Sequence, residues 1–145
     1  MKVVILFNSQ KGHTQAAAEA MAQAARDEGH EVTIKAVSQN RASDIEQADV
    51  VLIGTWVQGF ILFGVKPAHA TLWVPALPSL QGKRVATFCT YRFNPRGSLK
   101  KLGEMLEGRG ATLVGQQAFQ RDQAVQGAEP FVRQVLQAVE KRASS

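Results

Sequence analysis

Val3-Val4-Ile5-Leu6-Phe7-Asn8, followed by Ser9-Gln10-Lys11-Gly12-His13-Thr14, is an unbroken apolar run that ends in small and hydroxyl residues around one glycine. An alanine-rich segment, Gln15 to Ala25, begins at once. A strand that is apolar throughout is buried on both faces, the habit of a parallel strand in an α/β sheet. Its carboxyl end then brings backbone amides, hydroxyls and a helix N-terminus together, and such a place suits a phosphate. The plainer reading of the same residues is a strand-to-helix turn with a polar cap.

Spacing excludes two better-known phosphate sites. A dinucleotide-binding turn needs Gly-x-Gly-x-x-Gly, and a nucleoside-triphosphate loop needs Gly-x-x-x-x-Gly-Lys. Gly12 stands alone between Ser9 and Thr14. The remaining pattern, Ser-x-x-Gly-x-Thr between the first strand and the first helix, resembles the FMN-phosphate loop of the flavodoxin-like family, written Thr/Ser-x-Thr-Gly-x-Thr. Lys11 stands where that family commonly has a hydroxyl, and an ammonium beside a dianionic phosphate is chemically acceptable.

With 145 residues, 45% of them hydrophobic and 20% charged, the chain fits a single domain over 1–145 with a sizeable core. The longest dense apolar patch, Phe60 to Val65, is far too short to span a bilayer. A cytoplasmic protein without a membrane span is expected. Cys89 is the single cysteine, and His13, His30 and His69 show no ligand spacing, so neither an internal disulfide nor a metal site is expected.

The net charge of +5 is unevenly placed. No acid occurs between Asp49 and Glu104, whereas Lys66, Lys83, Arg84, Arg92, Arg96, Lys100 and Lys101 all fall in that interval. Half of the loops should therefore be electropositive. Basic runs interleaved with aromatics are missing and no nucleic-acid motif occurs, so nucleic acid is not the expected partner.

Along the chain, strands alternate with helical segments. Gly12 to Gly29 is predicted as a helix with Ala17, Ala20, Met21, Ala24 and Ala25 on one face. Glu31 to Val37 alternates as an edge strand, and Ser43-x-x-Glu46 has the form of a capping box. Asp49 to Gly54 is as apolar as the first strand and should be central, and the polar and aromatic stretch Thr55 to Phe60 leaves it. Pro67 suits the first turn of a third helix running to about Trp73. Arg84 to Cys89 is the fourth strand, and Thr90-Tyr91-Arg92-Phe93-Asn94-Pro95-Arg96-Gly97 leaves it. Ser98 is placed to cap a helix with Leu99, Leu102, Met105 and Leu106 at helical spacing. Thr112 to Phe119 is the fifth strand, and Glu129 and Pro130 open a last helix with Val132, Val135, Leu136 and Val139 inward.

Strict alternation of five strands and five helices predicts an α/β fold, a doubly wound parallel sheet in a three-layer sandwich. Ligands of such sheets bind beyond the carboxyl ends of the strands, where all three polar loops lie. The resemblance extends to Ile53-Gly54-Thr55, Leu80-x-Gly82-Lys83 and Cys89-Thr90-Tyr91, and so covers nearly the whole chain as a short flavodoxin-like domain. It implies strand order 2-1-3-4-5 and FMN as cofactor. On that resemblance Ser9, Gln10, Lys11, Gly12, His13 and Thr14 would wrap the phosphate. Thr55, Trp56, Val57, Gln58 and Gly59 would border one side of the flavin ring, and Thr90, Tyr91, Arg92, Phe93 and Asn94 the other. Trp56 and Tyr91 are the expected ring neighbours, with Phe60 and Phe93 as substitutes. The alternatives are that Trp56 only plugs the crevice and that Tyr91 only packs on the last helices.

Two rivals on the same fold fail by residue type. A phosphoacceptor receiver domain needs acids to hold magnesium at the ends of the first and third strands, where this chain has Asn8, Ser9, Gly54 and Thr55. A low-molecular-weight tyrosine phosphatase needs Cys-x-x-x-x-x-Arg, and Cys89 and Arg96 are one residue too far apart. Cys89 is expected to be a buried strand-end residue. Two function classes remain. In one, an FMN-dependent redox protein serves as an electron carrier or a small reductase of quinone-like acceptors, with all bond-making done by the flavin and no catalytic side chain. In the other, a cofactor-free domain of the same fold acts as a binding or interaction module. Phe60 to Val65 also suggests a homodimer or docking surface.

Overall fold

The first strand, β1 (Lys2–Phe7), shows how the sequence builds the molecule. Side chains alternate across a strand, and here Val3 and Ile5 enter one buried cluster while Val4 and Leu6 enter another. β3 (Val50–Gln58) does the same, with Val50 and Leu52 on the first side and Val51 and Ile53 on the second. Such strands need cover on both faces, and the helices supply it. The computed structural model describes residues 1–9, 11–58, 66–67, 73–92 and 97–143.

On one face lie α1 (His13–Asp27) and α4 (Ala124–Ala143). Ala17, Ala18, Met21, Ala22, Ala24 and Ala25 of α1 meet Val132, Val135, Leu136 and Val139 of α4 in one cluster. The small alanines let α1 approach the sheet closely. On the other face lie α2 (Ala42–Glu46) and α3 (Ser98–Glu107), which contribute Ile45, Leu102 and Leu106. The remaining strands are β2 (Glu31–Ala36), β5 (Arg84–Tyr91), β6 (Thr112–Gln120) and a short β4 (Lys66–Pro67).

The five long strands are parallel in the order β2-β1-β3-β5-β6, and β4 pairs antiparallel with β3. Counting the long strands alone, this is the expected order 2-1-3-4-5 in a three-layer sandwich. β1 is in register with β3 from Val3 opposite Val50 to Phe7 opposite Gly54. Pairing of β3 with β5 continues to Trp56 opposite Thr90. No helix among the described residues is long and apolar enough to cross a membrane.

Several boundaries differ from the sequence reading, each for a physical reason. Both central strands run further than Gly54 and Cys89, because Thr55, Trp56, Thr90 and Tyr91 keep pairing and β4 adds hydrogen-bonding partners for Val57 and Gln58. Pro67 belongs to that pairing and not to a helix; the rest of the expected third helix falls mostly outside the described residues. The capping carboxylate of α2 is Asp44, whose Oδ2 accepts from the Arg41 amide at 3.0 Å and from Lys35 Nζ at 2.8 Å, so Ser43 and Glu46 do not form the box. The hydrogen bond from Lys35 holds the Asp44 carboxyl below its ordinary range. α4 starts at Ala124, with Pro130 inside it. Pro130 is exposed on the outer side of the helix, as is Gln126, whose carbonyl it leaves without the usual partner.

Candidate functional site

β1 delivers its last residues to the carboxyl end of the sheet beside β3. The Asn8 amide donates to the Gly54 carbonyl at 2.8 Å, and Asn8 Nδ2 donates to Thr55 Oγ1 at 3.2 Å. The chain then has to reverse into α1 within a few residues. Gly12 makes this possible, as the residue before the helix with φ of 90°, a left-handed conformation that costs other residues strain. Ser9 closes the turn, its Oγ accepting from the Gly12 amide at 3.1 Å and the Gln15 amide at 3.4 Å.

The first turn of α1 is also tied to the end of β5. Thr14 Oγ1 lies 2.8 Å from Thr90 Oγ1, and both residues are buried. This bond links the phosphate-type turn after β1 to the end of β5 across the width of β3. Lys11 and Gly12 are exposed, and α1 has no acid in its first turn. An exposed glycine turn, a hydroxyl, an ammonium and an uncompensated helix N-terminus form a donor set that suits a dianionic phosphate.

Thr55 is fully buried, whereas Trp56 and Val57 are half-buried in the last part of β3. Trp56 sits beside Thr90 in the sheet, so this part of the sequence is strand and not a free loop. Arg92 is exposed just past β5. Gln10, Gly59, Phe60, Phe93 and Asn94 lie outside the described residues, as does the apolar patch through Val65. The structure thus brings together Ser9, Lys11, Gly12, His13, Thr14, Thr55, Trp56 and Thr90 around one end of the sheet.

Tyr91 is half-buried at the end of β5. It lines an open groove of about 680 Å³ with Phe119, Gln126, Phe131 and neighbouring residues of β6 and α4. Sequence reasoning missed this groove, because the residues that form it are contributed by an edge strand and a helix read as starting later. Cys89 is buried and its thiol is pushed up to about 12 by desolvation, which suits a strand-end packing residue and not a nucleophile.

At the next crossover, α3 begins as α1 does. Gly97 precedes it with φ of 81°, so Ser98 is the first helical residue rather than the cap. Ser98 is fully buried, and its Oγ has no hydrogen-bond partner.

Residues 5–135 match the model of the family described as Flavodoxin. Among solved structures, a flavodoxin from the domain Archaea superposes with a TM-score of 0.73 at 19% identity, covering 97% of this chain and 99% of that one. Oxidised Flavodoxin 1 from Bacillus cereus gives 0.72 at 23%, covering 94% and 98%. Rubredoxin oxygen:oxidoreductase from Desulfovibrio gigas gives 0.76 at 19%, covering 99% of this chain but 37% of that larger one. At these identities the superpositions speak for the fold. Among curated protein sequences nothing matches the chain.

Proposed function

The chain belongs to the flavodoxin family, an FMN-binding family of electron carriers, and from that membership and the crevice we propose that it passes electrons to a redox partner protein or a small quinone-like acceptor. The observation that carries the reading is the Ser9–Gly12 turn at an acid-free helix N-terminus, tied through Thr14 to Thr90. FMN, when bound, supplies the one- and two-electron redox chemistry.

In this reading Ser9, Gln10, Lys11, Gly12, His13 and Thr14 hold the phosphate through hydroxyls, amides and one ammonium. Thr55 to Gly59 and Thr90 to Asn94 border the ring. Trp56 is the better supported ring neighbour, since it stands at the end of a central strand next to Thr55 and Thr90. Tyr91, which lines the groove against α4, is the weaker one. The fold itself orients the cofactor, and no side chain has to exchange a proton or form a bond.

The test is absorption of the purified protein followed by titration with FMN. Yellow protein, or quenching of added FMN fluorescence to a saturable end point, is expected. Colourless protein that leaves added FMN fluorescent would return the domain to a cofactor-free interaction module.

A further inference from the structure

The sheet ends in two edge strands, and they are protected differently. A strand edge offers amides and carbonyls for pairing, and charge, proline or shortness normally keeps other chains off it. β2 is six residues long and carries Glu31 and Lys35. β6 is nine residues long, from Thr112 to Gln120, and holds neither a charged residue nor a proline. The irregularity in its pairing with β5 falls at Val114, and from Gly115 to Gln120 the register runs unbroken. Among the described residues no strand pairs with its outer side.

The groove of about 680 Å³ lies between this edge and α4. Gln123, Gln126, Pro130 and Gln134 follow one another three or four residues apart and form one wall, about 16 Å long. Phe119 and Phe131, both buried and packed edge to face with ring centroids 5.8 Å apart, form the floor. The solvent side of a helix is ordinarily charged, but the charges of α4 beside this wall are engaged elsewhere. Arg133 binds Glu129 at 2.8 Å and Glu28, just past α1, at 3.1 Å. Among the described residues no Lys, Arg, Asp or Glu lines the groove. Pro130 has no amide to donate, so the Gln126 carbonyl in the wall lacks its usual helical partner.

We propose that this groove binds an uncharged, extended peptide segment of another protein, which adds to β6 as a further strand and lays alternate side chains on the Phe119–Phe131 floor. The strand edge supplies main-chain hydrogen bonds, and the floor supplies the pocket for side chains. Glutamine amides in the wall both donate and accept, as peptide groups require. A wall of this length accommodates about five extended residues. A charged segment would seat its charge without a partner, and a nucleic acid would find no cation in the groove for its phosphates. A second copy of the chain would need roughly 800 Å² from each partner, far more than one short groove offers. The site does not depend on FMN.

The experiment selects binders from a random heptapeptide phage library on the immobilised protein, then maps the synthesised peptides on labelled protein by nuclear magnetic resonance. Peptides without charged residues are expected, shifting the amides of residues 116–120 and 123–134. A strand uses alternate amides on each edge, so N-methylation of one alternate set should weaken binding about tenfold, and of the other set by less than about twofold. Gln126→Glu/Gln134→Glu, two exposed positions in the wall, should weaken binding about fivefold, because the seated peptide then covers unpaired carboxylates. Gln23→Glu/Gln39→Glu, with the same change in net charge at exposed positions outside the groove, should stay within about twofold of the parent. Charged peptides, shifts elsewhere, indifference to both methylation patterns, equal weakening by the two Glu variants or a library that yields no binder would each overturn the proposal. So would a dimeric mass in sedimentation that Gln126→Glu/Gln134→Glu returns to a monomer, which would give the edge to a second copy.

Discussion

Gly12 and Gly97 give two helices the same start in different surroundings. Both lie immediately before a helix with left-handed φ, 90° and 81°, and neither helix has an acid in its first turn. At Gly12 the turn is completed from within the chain: Ser9 folds back onto two amides, and Thr14 reaches Thr90 on the other side of β3. At Gly97 the only hydroxyl at the helix start, that of Ser98, is buried without a partner, while Lys100 and Lys101 stand outside. One turn is braced from within the chain. The other presents charge.

The bracing can be broken directly. Thr14→Val leaves Thr90 Oγ1 buried without its partner, as Thr90→Val does for Thr14, and each is expected to cost about 1–3 kcal/mol of stability. The double Val variant should cost clearly less than the two singles together, because it leaves no orphaned hydroxyl. Denaturant unfolding of the four proteins gives the coupling. Strict additivity would mean that the hydroxyls do not act on each other and that the brace is not there.

The backbone similarity between the two turns gives a second, smaller contrast. A Cβ at Gly12 or Gly97 meets nothing within 4 Å, so an alanine at either position pays only for the left-handed conformation. That cost is about 1–2 kcal/mol in each case. FMN affinity should separate them, falling for Gly12→Ala and staying unchanged for Gly97→Ala. Equal loss of FMN affinity in both variants would show that the two turns contribute alike to the phosphate site.

How much of this could be read beforehand depended on how local the cause was. Val3 to Phe7, the alanine face of α1 and the Ser9–Gly12 turn are local patterns, and the strand, the helix and the candidate phosphate turn follow from them. The Thr14–Thr90 bond joins residues far apart in sequence, and nothing near either threonine announces it. The ends of β3 and β5 were hidden for a related reason: Thr55, Trp56, Thr90 and Tyr91 suit both a loop and a strand, and only their pairing across the sheet decides. The start of α4 was obscured by Gly127 and Pro130, two residues that normally interrupt a helix. Gly127 is there because a Cβ would come within 2.7 Å of the Phe119 ring, a contact that exists only in the folded chain. Charge placement was half legible, since the acid-free interval is visible in the sequence but the gathering of helix starts at one end requires the topology.

The smallest contrast concerns the two serines, and here the expected signs are opposite. Ser9 Oγ satisfies amides of an otherwise uncapped first turn, so Ser9→Ala should destabilise by about 1 kcal/mol, as the loss of a capping side chain does. Ser98 Oγ is desolvated and unpaired. Removing a buried polar group that makes no hydrogen bond relieves its desolvation penalty, and alanine is well accepted at the start of a helix. Ser98→Ala should therefore be neutral or stabilising, by up to about 1 kcal/mol. Thermal or denaturant unfolding of both variants reads the sign. If Ser98→Ala lowers stability as much as Ser9→Ala, the Ser98 hydroxyl must be bonded, for example through a bridging water. The start of α3 would then be braced like that of α1, and the contrast between the two turns would reduce to Lys100 and Lys101 alone.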